Sequence, residues 1–324
     1  MLYVIYANKK YLASEFDVLS DTEGIKCLKF TTVRMHGVKR ILQLIIRYLR
    51  AFIINRKGLF ADYFFNVDFI QNQLPQITED DNVLFIIENL KELLVLNKEI
   101  KCRKKSVFIR NSASTKSAYS RWEYMRYLPK TGMDIYSFDK GDSKYGFKTV
   151  KQVYCHNKTL QQLKSTDIQE DVDIVFLGKD KRRAPYLLEL KKQFDAENIS
   201  SYYYIMKDQH SVLLPQLADA YQDEEIPYAD TLLITMRGKC ILEILQKAQV
   251  GMTIRPLEAI FMKKKLMTND KNILSSPIYH PDNVYVLGHD KRSLRDFLLA
   301  DYHELPQETI NQYDVHHWIK QFMD

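Results

Sequence analysis

The sequence predicts an α/β protein made of two successive domains, each a parallel sheet covered by helices. Three observations predict it. Short apolar runs at Leu2–Tyr6, Asn82–Ile87, Val172–Gly178 and Cys240–Leu245 read as strands buried on both faces, which is how parallel strands read. Stretches of helical periodicity fall between such runs, and this alternation is the pattern of α/β folds. The chain has 324 residues, 46% hydrophobic and 12% aromatic, which is enough for two cores of ordinary size.

In the first half, Leu2–Tyr6 opens as a strand and residues 38–57 follow as a helix. Asn82–Ile87 is the next strand, Leu90–Ile100 fits helix or strand, and Ser106–Arg110 and Ile135–Phe138 are further strands. The last of these runs into a turn-rich stretch, Asp139–Gly146, and the polar residues 150–170 read as the crossing between domains.

The second half opens on Val172–Gly178, followed by a helix at Pro185–Phe194, a strand at Ser201–Met206 and a short element at Leu232–Met236. Cys240–Leu245 is a strand, a short helix starts near Pro256, and Lys265–Asn269 and Asn283–Leu287 are strands. Pro suits the first helical position, where its missing N–H costs nothing, so Arg255 is the expected N-cap and Glu258 the third helical residue. The chain ends in a helix over Pro306–Asp324 carrying Trp318, Ile319 and Phe322.

Several function classes are excluded or demoted. With 10 glycines and 9 prolines the chain is neither collagenous nor linker-like. Cys27, Cys102, Cys155 and Cys240 lack metal-ligand or CxxC spacing and suit a reducing cytoplasm. The start is expected to be a first strand and no signal peptide, and no stretch has the length and apolarity of a transmembrane helix. Nucleic acid is not an expected partner, because the cations are not gathered with aromatics on one recognisable module.

Within residues 38–57, Ile41, Leu42, Ile45, Leu49 and Phe52 share one helical face, and Arg40, Gln43, Arg47 and Arg50 share another. The first reading is a core-packing helix with solvated arginines. The second is a basic amphipathic helix resting on an anionic membrane.

Two strand-end loops carry candidate chemistry. Gly178, Lys179, Asp180, Lys181, Arg182 and Arg183 follow the first strand of the second half, with a glycine for close approach and four cations for a diphosphate. The loop has neither P-loop nor GxGxxG spacing. The second loop, Gln249–Ile260, combines Gly251, Thr253, Arg255 and Glu258 at a helix start, where amide groups and the dipole attract phosphate, Arg255 adds a charged fork and Glu258 can accept from hydroxyls. Ordinary helix capping explains the same residues without a ligand.

The Phe176–Arg183 loop, Gln249–Ala259, Lys264–Asn269, Ser137–Asp142 with Tyr145 and Gly146, and Ile278–Val284 together resemble a bacterial family of glycosyltransferases. That family serves capsule, O-antigen and lipopolysaccharide assembly and is similar to the GT-B superfamily. The resemblance covers the chain from about residue 135 to its end. It implies a GT-B-like fold of two Rossmann-like domains facing a central cleft. Residues 1–155 would form the acceptor-side domain and 156–305 the nucleotide-sugar domain, with 306–324 a C-terminal helix crossing back. It implies that Glu258 holds the donor ribose, that Arg255, Lys181 and Arg183 counter the leaving diphosphate, and that Gly178, Lys179, Gly251 and Thr253 complete the donor site. The donor expected is a UDP-sugar, the acceptor a surface glycan or glycolipid, and the site of action the cytoplasm, at the inner face of the membrane if residues 38–57 rest there.

No cofactor or metal is expected, since fixed cations and a helix dipole suffice for the leaving group. Asp171 and Asp173 form a formal DxD, but they read as a solvated strand entry. Retaining relatives carry a second glutamate where this chain has Val250, which leaves the stereochemistry open. An inverting reaction needs a general base in the first domain, with Glu15, Asp17 and His36 as candidates. Two other readings stand beside this one: a non-catalytic nucleotide- or glycan-binding relative, and a CDP-polyol phosphotransferase.

Overall fold

The computed structural model describes residues 1–8, 15–33, 36–49, 65–113, 116–163, 166, 168–209, 211–246 and 249–324. Residues Met1–Lys151 with Val315–Asp324 form one compact unit, and Gln152–Asp314 form the other.

The first unit contains β1 (Leu2–Ala7), β2 (Ile25–Phe30), α1 (Val38–Tyr48), β3 (Asn82–Ile86), α2 (Leu90–Glu99), β4 (Lys104–Ile109), α3 (Ala118–Tyr127), β5 (Asp134–Ser137) and β6 (Lys148–Thr149). Its strands form one parallel sheet in the order β2-β1-β3-β4-β5-β6. Every residue of β1 and β3 is buried, as expected for inner strands covered on both faces. The stretch that fits helix or strand is a helix: Asn89 caps α2 by accepting from Lys91 N and Glu92 N, and Leu90, Leu93 and Leu94 are buried at helical spacing. Helix α3 lies outside the elements expected from the sequence, since its polar and aromatic residues carry almost no apolar period. In α1, the expected core-facing stripe is instead exposed at Ile41, Leu42 and Ile45, which corrects the core-packing reading. The part of that expected helix over residues 50–57 lies outside the described residues.

The second unit contains α4 (Asn157–Leu163), β7 (Val172–Lys179), α5 (Ala184–Ala196), β8 (Ser201–Met206), β9 (Tyr221–Gln222), α6 (Tyr228–Met236), β10 (Gly238–Glu243), α7 (Ile254–Met262), β11 (Lys265–Thr268), β12 (Val284–Val286) and α8 (Leu294–Leu299). Its parallel sheet runs β12-β11-β10-β7-β8-β9. Counted from β7, this is the Rossmann order 6-5-4-1-2-3, with the chain reversing direction between β7 and β10. The two halves of the sheet meet closely there. A Cβ on Gly238 would sit 1.8 Å from Val175 Cγ1, so β10 can start against β7 only with glycine at this position. Two Rossmann-like α/β sheets, one per unit, are thus the architecture of the chain.

The terminal segment is not one helix. It is α9 (Gln307–Asn311), α10 (Val315–Trp318) and a 3-10 turn over Ile319–Phe322. From Val315 onward it belongs to the first unit, where the Trp318 ring lies 4.8 Å from Phe108 and the Phe322 ring 5.0 Å from Tyr136.

Candidate functional site

Ligands of open α/β sheets bind outside the carboxyl ends of the strands, at the point where the strand order reverses. In the second unit that point lies between β7 and β10, and the Gly178–Arg183 loop leaves the sheet there. Lys181 and Arg182 have φ values of 46° and 65°, two successive left-handed residues that fold the chain tightly between β7 and α5. Several amides of this turn are already engaged. Asp180, fully buried, accepts from Arg183 N at 2.9 Å and Ala184 N at 3.0 Å through one oxygen, and Lys181 N donates to Asp208 Oδ2 at 2.8 Å. The Lys181 and Arg182 side chains are exposed.

Arg183 bridges the reversal point. It donates to Ile244 O at 2.7 Å and Asp180 O at 3.2 Å, and also to Lys179 O. Gly178 makes room for it, because a Cβ there would lie 3.0 Å from Arg183 Nη2. Burial, then the neighbouring Arg255, pull the Arg183 guanidinium down to about 10. Partial desolvation of the Lys181 ammonium against the loop, then the charges of Arg183 and Lys179, lower Lys181 in the same direction although its side chain stays exposed. The cations thus form a locally positive cluster. Lys179 points its charge elsewhere, to Glu225 at 2.7 Å.

The second loop corrects the expected helix start. The N-cap is Thr253, whose hydroxyl accepts from Arg255 N at 3.1 Å, and α7 begins at Ile254. Thr253 supplies the side-chain acceptor that a bonded N-cap uses, and Arg255 has none. Pro256 is then the third helical residue and Glu258 the fifth, beyond the first turn. Thr253 also donates to Glu243, and Thr268 Oγ1 donates to the other Glu243 oxygen at 2.6 Å. Glu243 is buried at the end of β10, and burial raises its carboxyl above the usual range against the opposing threonine bonds. Glu243 is a further residue of this site, and its signal in the sequence is one acid inside an apolar strand run.

Arg255 and Glu258 do come together, as an internal pair. Arg255 Nη1 donates to Glu258, and Arg255 Nη2 donates to Leu177 O at 3.1 Å, which pins the start of α7 to β7. Glu258 is fully buried, and its second oxygen accepts from Tyr228 Oη at 2.6 Å. Tyr228 is itself stacked on His156, with ring centroids 3.8 Å apart. Both oxygens of Glu258 thus face protein donors here, and the ribose contact implied by the resemblance has no exposed Glu258 oxygen to use. Gly251 is buried in the bend ahead of Thr253, and Gln152 Nε2 holds that bend by donating to Met252 O at 3.2 Å.

The structure therefore gathers Gly178, Lys181, Arg183, Thr253, Arg255 and Glu258 around the ends of β7 and β10, and adds Glu243, Tyr228 and Thr268. Asp171 and Asp173 lie at the entry of β7, the opposite end of that strand. Arg237 holds the first through two bonds, and Lys239 and Ser200 hold the second.

The three general-base candidates lie in the first unit. Glu15 pairs with Arg110 at 2.5 Å, while Asp17 accepts from Tyr6 Oη and Lys29 Nζ. His36 is exposed just before α1. The Ser137–Asp142 motif is a buried turn. Asp142 accepts from Ser137 Oγ at 2.7 Å, Ala113 N at 3.0 Å and Ser112 Oγ at 3.3 Å, tying the ends of β5 and β4 together.

No family model and no curated protein match this chain. Among solved structures, the chain is similar to a Listeria monocytogenes protein named as a UDP-N-acetylglucosamine 2-epimerase, with 8% identity, TM-score 0.45 and coverage of 100% of this chain and 92% of that one. It is also similar to the wall teichoic acid polymerase TagF, with 8% identity, TM-score 0.39 and coverage of 99% and 83%.

Proposed function

We propose that this protein is a glycosyltransferase that moves a sugar from a nucleotide-sugar donor, a UDP-sugar first among them, to a surface-polysaccharide or lipopolysaccharide acceptor in the cytoplasm. One observation carries the reading: the reversal point of a Rossmann-ordered sheet bears exposed Lys181 and Arg182 beside the fixed guanidinium of Arg183. Cations held at a strand-end crevice suit a diphosphate, and they stabilise the charge that grows on it as the sugar leaves.

In this reading Lys181 and Arg182 meet the diphosphate. Arg183 keeps the crevice positive while held by carbonyl oxygens, and Arg255, Glu258 and Tyr228 fix the wall. The step requires no metal. The first unit is assigned the acceptor. His36, exposed where Glu15 and Asp17 each hold a cation, is favoured as the base that takes the acceptor proton. The engagement of both Glu258 oxygens favours a second reading, a nucleotide-binding relative without turnover.

Thermal-shift titration with UDP-, GDP- and CMP-sugars, followed by product analysis with glycan acceptors, tests both. Stabilisation by a UDP-sugar together with acceptor-dependent release of UDP supports the transferase. Binding without release supports the second reading, and no stabilisation by any nucleotide removes both.

A further inference from the structure

The helix α1 is turned the wrong way round for a core helix. Its exposed apolar side chains are Val38 (82%), Leu42 (49%), Ile41 (61%), Leu44 (53%) and Ile45 (50%), while Gln43 is buried and donates to Val33 O at 2.7 Å. Ile46 packs on the core from the edge of the stripe. At 100° per residue, Leu44, Ile41, Ile45, Val38 and Leu42 follow one another around α1 as one exposed stripe opposite the buried Gln43. The exposed Arg40 lies beyond the Leu44 edge of that stripe and the exposed Lys39 beyond the Leu42 edge.

The charge distribution says what that stripe meets. Residues 38–57 carry six of the 47 Lys and Arg residues and none of the 41 Asp and Glu residues, so this segment alone accounts for the net charge of +6. A protein partner with an apolar groove would satisfy the stripe but would not call for so one-sided a charge. An anionic bilayer satisfies both, since apolar side chains enter the acyl boundary while flanking Lys and Arg meet the headgroups.

We propose that α1 is a membrane-docking helix, which lies in the plane of an anionic bilayer with Val38, Ile41, Leu42 and Ile45 immersed and Lys39 and Arg40 at headgroup level. The proposal is independent of the donor chemistry, because α1 belongs to the first unit and the cationic strand-end loops to the second.

Flotation of the full chain with vesicles tests it, using equal parts phosphatidylglycerol and phosphatidylcholine against phosphatidylcholine alone. The wild type is expected to float with the anionic vesicles at low salt and to stay behind with the neutral ones. The double variant Lys39→Gln, Arg40→Gln is expected to lose about 25-fold in partitioning, at roughly fivefold per charge. The double variant Ile41→Ser, Ile45→Ser is expected to lose flotation entirely. These side chains are exposed, so circular dichroism and thermal unfolding of both variants should match the wild type. Four results would overturn the proposal. These are no flotation of the wild type, undiminished flotation of the serine variant, a concentration-dependent dimer abolished by the serine substitutions without flotation, and salt-sensitive binding to random DNA without flotation.

Discussion

Tyr228 Oη donates to Glu258 Oε1 at 2.6 Å, and Arg255 holds the other oxygen of the same carboxylate. A residue that reads in sequence as a sugar contact is thus built into the wall of the second unit. Its loss should register first as instability. Breaking a buried pair by removing one partner typically costs about 3–5 kcal/mol. Glu258→Ala should therefore lower the urea midpoint strongly, while Tyr228→Phe, which removes one bond to the carboxylate, should cost about 1.5–3 kcal/mol. A Glu258→Ala protein that unfolds like the wild type yet no longer binds nucleotide would return this residue to the ligand.

Glu243 gives a pH signature. Its folded-state carboxyl titrates above the unfolded value, because burial disfavours the charged form. Between the unfolded value and the raised folded one, the folded protein holds more protons. Stability contributed by this group is therefore present at low pH and lost as pH rises through that window. Glu243→Gln removes the slope, so its melting temperature relative to wild type should climb from pH 4 towards pH 8, at about 2–4 °C per kcal/mol relieved. A constant difference across that range would contradict the assignment.

Gly238 should tolerate no Cβ. Gly238→Ala places a methyl 1.8 Å from Val175 Cγ1 and should destabilise by about 1–3 kcal/mol. Adding Val175→Ala should recover part of the loss despite removing core volume. Additive losses in the double variant would mean that the clash is not the cause.

Lys181→Gln and Arg182→Gln should leave thermal stability unchanged, since both side chains are exposed, and weaken UDP binding about five- to tenfold each. Calorimetric titrations at two salt concentrations check this. The variants should also show a shallower dependence on salt. Unchanged affinity in both would move the diphosphate away from this loop.

The inner strands were legible because β1, β3, β7 and β10 read as near-continuous apolar runs. The two-residue strands Lys148–Thr149 and Tyr221–Gln222 were not, for they carry too few residues to show a period. Helix α3 was hidden because Ala118–Tyr127 spreads polar and aromatic residues around its circumference. Pro256 hides the helix start at Thr253, because proline suits the first helical position while the cap here is the hydroxyl acceptor of Thr253. Both cationic loops were visible one at a time. What joins them is not, since Glu243 and Tyr228 come from two other elements and the Leu177 carbonyl offers no side-chain signal, and spacing along a chain does not reveal such meetings.

The pairing of β7 with β10 also has a bearing on how the second unit comes apart. Strands β7, β8 and β9 are contiguous in sequence, as are β10, β11 and β12, and the two triplets touch edge to edge along this one ladder. At one end of the ladder stands Gly238 against Val175, and at the other Arg183 reaches across to Ile244. The sheet is in effect two half-sheets sewn along a seam, and a protease nick between Asp223 and Pro227 would sever the chain without cutting a single stitch.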